Sequence, residues 1–153
     1  MSELRHIIYE LKKIHSGEAW HGPALLEMLG SITAEQAAAR PVKNGHSIWE
    51  LVLHIGGWEE ACLQRLQGKP TPVPEDGDFP PVSASTPEAW RQTLDRLESA
   101  HHRLIEAAEA LTDSDIDRKL TGYDYSVGFL LRGLILHHVY HSGQIRLLQK
   151  SFG

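Results

Sequence analysis

Cysteine is almost missing from this chain. Cys62 is the single one in 153 residues, so no internal disulfide can form. No apolar run approaches the roughly 18 residues that a membrane span requires. There is no basic stripe and no arginine-rich run, and the formal net charge is −5. Binding to nucleic acid through its phosphates is therefore not expected. The opening MSELRHIIYELKKIH lacks the apolar centre of a signal peptide. Alternating strand patterns and internal repeats are also missing. These absences predict a cytoplasmic, all-α protein with no membrane partner. What remains is ordinary for a globular protein: 41% hydrophobic and 23% charged residues. The length suits one domain, residues 1–153, with a sizeable core.

Histidine is what the chain has in excess, with ten residues. The sharpest pattern lies in the last helical stretch, LLRGLILHHVYHSGQIRLLQ, residues 130–149. His137 and His141 stand four apart, which puts both imidazoles on one helical face about one turn apart. Val127, Leu130, Leu134, Ile145 and Leu148 form an apolar stripe around them. The imidazoles are thus expected to face a core, where each needs a hydrogen-bond partner or a metal. His138 fits the stripe as well as His137 does, one on each side of its centre, and would pair with His141 at i,i+3. Periodicity leaves that choice open.

The other elements read clearly. Residues 2–14 form an amphipathic helix with Leu4, Ile7, Ile8, Leu11 and Ile14 inward. A second helical piece is expected over about 18–30, with Pro23 in its first turn and Gly30 ending it. Thr33 caps a short helix Ala34–Arg40 that Pro41 stops. Ser47 and Glu50 make a capping box for a long helix with Ile48, Leu51, Val52, Ile55, Trp58, Cys62 and Leu66 inward, and His54 on the flank of that face. Gly56-Gly57 within it costs about 1 kcal/mol per glycine relative to alanine, so close packing or ligand room is expected there.

Residues 68–85, GKPTPVPEDGDFPPVSAS, are a proline-rich connection. Extended, they reach up to roughly 60 Å, against about 30 Å for the helix before them. The next helix can therefore point the same way as the last. It starts at Thr86-Pro87 and runs to about Ala110, with Trp90, Leu94, Leu97, His101, Leu104, Ile105 and Ala108 inward. Leu111–Tyr125 is a turn region with a short helical turn at Ser114–Asp117, and the last helix begins at about Val127. The expected architecture is a four-helix bundle with a crossover between the second and third helices and short N-terminal extras.

With His54 from one core helix and two histidines from another, three neutral nitrogen ligands suit Zn²⁺, Ni²⁺ or Fe²⁺ and leave coordination positions open. Each could instead be a core or surface histidine without metal.

Sequence phrases favour the metal. HHVYHSGQI resembles the His-x-x-x-His-x-Gly-Gln-Ile signature that closes the DinB/YfiT-like family, and SIWELVLHIGGWEE is similar to that family's second bundle helix. Trp20-His21-Gly22-Pro23-Ala24-Leu25 and Tyr125-Ser126-Val127-Gly128-Phe129-Leu130 also look like members, so the resemblance covers nearly the whole chain. It implies an up-down-down-up four-helix bundle, one divalent metal on His54, His137 and His141, and commonly a homodimer. Some relatives transfer low-molecular-weight thiols such as bacillithiol to small electrophiles or isomerise with mycothiol. Others are called metal-dependent hydrolases or damage-inducible proteins. The resemblance therefore implies a small-molecule substrate without naming the reaction or a catalytic residue.

Three functions follow: a metal-dependent enzyme of thiol S-transferase or hydrolase type, a non-catalytic metal- or thiol-binding stress protein, or a helical interaction module with structural histidines. Smaller expectations attach to other residues. Gln144 is placed to hydrogen-bond a ligand histidine or the substrate, or equally to make a plain polar helix contact. Gly143 suits helix packing, and His21 is a capping or surface residue that could line the pocket. Glu59 and Glu60 read as a solvated helix face, with a general base as the alternative. Tyr140 and Trp58 read as core or interface aromatics, and Cys62 as a small apolar core residue. One of His101 and His102 should be half-buried and the other exposed, while His6, His15 and His46 look peripheral.

Overall fold

Each long helix starts on a side-chain cap. The computed structural model describes residues 1–153. Ser2 caps α1 (Glu3–Ser16). Ser47 accepts from the Glu50 N–H and Glu50 accepts from the Ser47 N–H, which opens α4 (Ile48–Leu66). Thr86 and Pro87 open α5 (Pro87–Glu109), and Ser126 opens α6 (Val127–Lys150). Two short helices, α2 (Leu25–Leu29) and α3 (Ala34–Ala38), precede α4. A 3₁₀ turn, Asp113–Asp115, precedes α6. The structure has no strands, only one isolated bridge, Lys119 with Ser126.

The side-chain pairs give the helix directions. Trp49 meets Thr93, Glu59 meets His101 and Glu60 meets Arg103. Those numbers rise together, so α4 and α5 run parallel. His54 meets His141 while Glu59 meets His138, so α6 is antiparallel to α4. Lys12 meets Glu109 and His15 meets His101, which makes α1 antiparallel to α5. The bundle of α1, α4, α5 and α6 is therefore up-down-down-up.

The proline-rich connection makes the parallel pair possible by running back along α4. Arg65 holds its beginning: the guanidinium donates to the Thr71 carbonyl at 2.9 and 2.7 Å and to the Tyr125 hydroxyl at 2.9 Å. Further on, Pro74 packs on Gly57, and Asp78 reaches Trp58 and His54. Close packing accounts for Gly57 but not for Gly56, where a Cβ would make only an ordinary contact. A Cβ on Gly57 would sit 3.2 Å from Pro74, and one on Gly56 would sit 3.6 Å from Leu97 of α5.

The core has two apolar halves. One joins Leu4, Ile7, Ile8 and Leu11 to Cys62, Leu66, Leu104, Leu131 and Leu134. The other joins α2 and α3 to Ile48, Leu51, Ile55, Trp90, Leu97, Ile145 and Leu148. Between them, around residues 15, 54–59, 101 and 137–142, lies a layer of buried polar side chains.

Three boundaries differ from expectation. The helical piece expected over 18–30 shrinks to Leu25–Leu29, because Gly22 has φ +135 and Ala24 is extended. The helix expected to reach Arg40 stops at Ala38, with Ala39 extended ahead of Pro41. The turn near residue 114 is a 3₁₀ turn that ends at Asp115. Every residue expected inward on α1 is buried, and on α5 only Leu94 stays part-exposed.

Candidate metal centre

His54, His137 and His141 come together in the polar layer. One ligand atom from each lies within 4.8 Å of the others. His54 Nε2 and His137 Nε2 are 2.9 Å apart, and the His141 ring centre is 4.5 Å from each of the other two.

Two neighbours set which nitrogens face inward. The Asp78 carbonyl lies 2.7 Å from His54 Nδ1 and can only accept, so Nδ1 carries the proton and Nε2 keeps its lone pair. Gln144 Oε1 lies 2.6 Å from His141 Nδ1 and does the same for that ring. Histidine ligands of metals are normally oriented in this way, through an N–H given to a carbonyl or amide oxygen. His137 Nδ1 is buried with no partner. Burial, then the nearby His141 and His54, push His137 down to about 3 from an ordinary 6.5. Burial is also the main cause of the lowering at His141. Both rings are thus neutral at pH 7, the form that ligates. This donor set, two lone pairs turned inward and a third imidazole whose Nε2 meets one of them, fits a divalent ion.

Aromatic rings wall the cluster. Phe79 lies flat on His54, with centroids 4.0 Å apart and planes 4° apart, and His46 stacks on the other face of Phe79 at 3.7 Å. Trp58 donates its indole N–H to Asp78 Oδ1 at 2.8 Å. Tyr140 packs on His141, with centroids 5.0 Å apart.

His137 and His138, which periodicity left equal, reach different partners on α4. His137 faces His54, whereas His138 is fully buried and its Nε2 donates to Glu59 Oε1 at 2.8 Å. Glu59 is therefore not on a solvated face: it is 0% exposed. His101 Nδ1 also donates to Oε1, at 2.7 Å. His15, expected to be peripheral, is buried and stacked on His101, with centroids 3.7 Å apart and planes 4° apart. Glu60 does face outward, paired with Arg103.

Several other expectations hold. His101 is buried and His102 exposed, His21 is exposed and outside the cluster, and Gln144 holds a candidate ligand. Cys62 is buried, and burial pushes its thiol up to about 12, so it stays protonated among apolar neighbours. Gly143 finds no packing partner within the chain, and Tyr140 is exposed. Sequence reasoning missed Asp78 and Phe79, whose only signal was their place in a connection long enough to lie against α4.

No curated protein and no solved structure matches the chain. No helix is long and apolar enough to cross a membrane. A sequence model of the DinB superfamily matches residues 19–145, which takes in α2 to α6 as far as Ile145 and with them all three clustered histidines. On that match, the chain belongs to the DinB superfamily.

Proposed function

We propose that His54, His137 and His141 hold one divalent metal ion and that the protein is a metal-dependent enzyme acting on a small molecule, by thiol S-transfer or by hydrolysis. The observation that carries this reading is the pair of N–H donations, His54 to the Asp78 carbonyl and His141 to Gln144, that turn two Nε2 lone pairs toward His137. A divalent ion with three protein ligands keeps a position for water or a thiolate and lowers the pKa of what binds there.

The chain's own residues supply orientation and shelter. Phe79 fixes the plane of His54, and Trp58 holds Asp78 in place. The Asp78 carboxylate, 3.2 Å from His54 Nδ1, is the carboxylate nearest the ligands; its engagement with Trp58 and His54 makes it a positioning residue. A second reading, a non-catalytic metal or thiol binder, draws support from the position of the larger clefts. A cleft of about 580 Å³ is lined by Leu63, Gln67, Arg103 and Glu106, and one of about 280 Å³ between α4, α5 and the connection by Gly56, Gly57, Arg96 and Arg103; neither touches the three histidines.

A homodimer belongs to the same proposal. Phe129, Leu136, Tyr140 and Leu147 are between 64% and 71% exposed along α6. With Gly133 and Gly143, both open on their Cβ side, they recur at alternating spacings of four and three, the pattern of a helix seam. The occupant this pattern fits is the same seam of a second copy, related by a two-fold axis. Tyr140 would place that interface beside the cluster.

The test is metal content of tag-free protein after exposure to zinc, nickel or iron. Wild type should hold a metal equivalent that His54→Ala loses, and the loaded protein should turn over a thiol with an electrophile or hydrolyse a small ester or amide. Equal metal content in wild type and His54→Ala would sink the metal reading. Loading without turnover would leave the binder.

A further inference from the structure

The layer contains a second set of ligand atoms. Glu59 lies fully buried where α1, α4, α5 and α6 converge; burial pushes its carboxyl up, but His138 and His101 together outweigh that and hold it below the usual carboxylate range. Its Oε1 accepts from both His101 and His138, yet Oε2 has no partner at all. His15 Nδ1 is likewise buried and unpartnered. A carboxylate oxygen and an imidazole nitrogen left without partners in a core cost free energy unless something satisfies them.

We propose that His15, Glu59 and His101 form a second divalent-cation site, independent of the three-histidine cluster. One ligand atom from each lies within 4.8 Å of the others. Four-coordinate zinc with nitrogen and oxygen ligands spaces them about 3.3 Å apart, so small side-chain shifts close the set. Two imidazoles and a carboxylate are a ligand set that zinc and iron take. The carboxylate also supplies a charge that the three-histidine cluster lacks. His138 keeps its N–H on Oε1 and orients the carboxylate from behind. Access is from outside the bundle: a groove of about 230 Å³ between α1 and α5 is lined by His15 and His101 with Lys12, Ser16 and Leu26.

The stacked rings make loading visible. His15 and His101 lie parallel, 3.7 Å apart, so their in-plane lone pairs run side by side and do not converge. Binding one ion through both requires one ring to tilt, which removes the mutual ring-current shielding of their carbon-bound protons.

The experiment titrates zinc into full-length, tag-free apo protein and counts bound metal after gel filtration, with histidine proton spectra taken at each step. Wild type should take up two equivalents, and Glu59→Gln and His54→Ala one each. His15→Phe, which keeps a ring on His101 and removes the donor, should also take one. In His54→Ala, loading should move the His15 and His101 resonances. A single wild-type equivalent lost in His54→Ala and kept in both Glu59→Gln and His15→Phe overturns this inference and leaves the proposed function standing. A single equivalent with the reverse pattern supports this inference and overturns the three-histidine reading. A second equivalent that survives both Glu59→Gln and His15→Phe also overturns it. If Glu59→Gln fails to fold, His15→Phe decides alone.

Discussion

The two histidine clusters share one polar layer and differ in what satisfies them. His54 and His141 give their Nδ1–H groups to the carbonyl of Asp78 and the amide of Gln144, groups near the protein surface. The His15, Glu59, His101 and His138 cluster is bonded to itself, with an ionised carboxylate at its centre. In the first, removing one imidazole leaves neutral neighbours beside solvent-facing residues. In the second, removing the carboxylate leaves imidazoles stranded in a core. One arrangement can give up a member at modest cost, and the other cannot.

The largest expected effect tests that contrast directly. Glu59→Ala should cost the apo protein about 2–5 kcal/mol in urea unfolding, because it strands the buried His101 and His138 N–H groups at about 1–3 kcal/mol each. His54→Ala should cost well under half as much. Equal losses would erase the distinction.

Next in size is stabilisation by metal. Zinc at one hundred times its dissociation constant stabilises a single site by about 2.7 kcal/mol. That gain should persist in Glu59→Gln and vanish in the Glu59→Gln, His54→Ala double variant. Survival of the gain in the double variant would mean zinc binds somewhere else.

A smaller effect should follow from Gln144→Leu, which frees His141 Nδ1 without touching a ligand. Metal affinity at the three-histidine cluster should fall roughly 10–100-fold with the helical content unchanged. An unaltered zinc titration would show that Gln144 does not orient the ring.

The smallest effect is in mild acid. Folded His15 and His137 remain neutral down to about 3, while the unfolded chain takes up protons near 6.5. The unfolded state therefore binds more protons between those values, and apo stability is lost as pH falls through that window. Glu59, held down to about 2, stays ionised throughout it. His137→Asn should flatten the dependence of melting temperature on pH between about 7 and 5. An unchanged slope would assign the loss to other groups.

Much of this was legible in the chain. The 3–4 spacing of Leu4 to Ile14, the Ser47–Glu50 box and the Thr86-Pro87 start each placed a bundle helix, because caps and periodicity are local signals. The i,i+4 pair His137 and His141 was visible for the same reason. What escaped depended on which helix covers which face. Glu59 and Glu60 are adjacent and look alike in sequence, yet a rotation of about 100° sends one into the core and the other to Arg103. His15 comes after the last apolar residue of α1 and looks like a frayed end. It is buried because α5 passes there, which no local pattern encodes. Asp78 and Phe79 lie over twenty residues from His54 in a stretch without helical periodicity, so their contact with it is tertiary only.

The backward run of the connection along α4 also bears on how such a protein diverges. All three clustered histidines sit on regular helices whose spacing fixes them, while the ring that covers His54 and the carbonyl that sets its tautomer sit on irregular chain. Loops accept substitutions, insertions and deletions that helices reject. Selection can therefore rewrite the wall above the histidines and leave the histidines where they are, so descendants of one ancestral chain can present differently shaped walls over an unchanged trio of imidazoles.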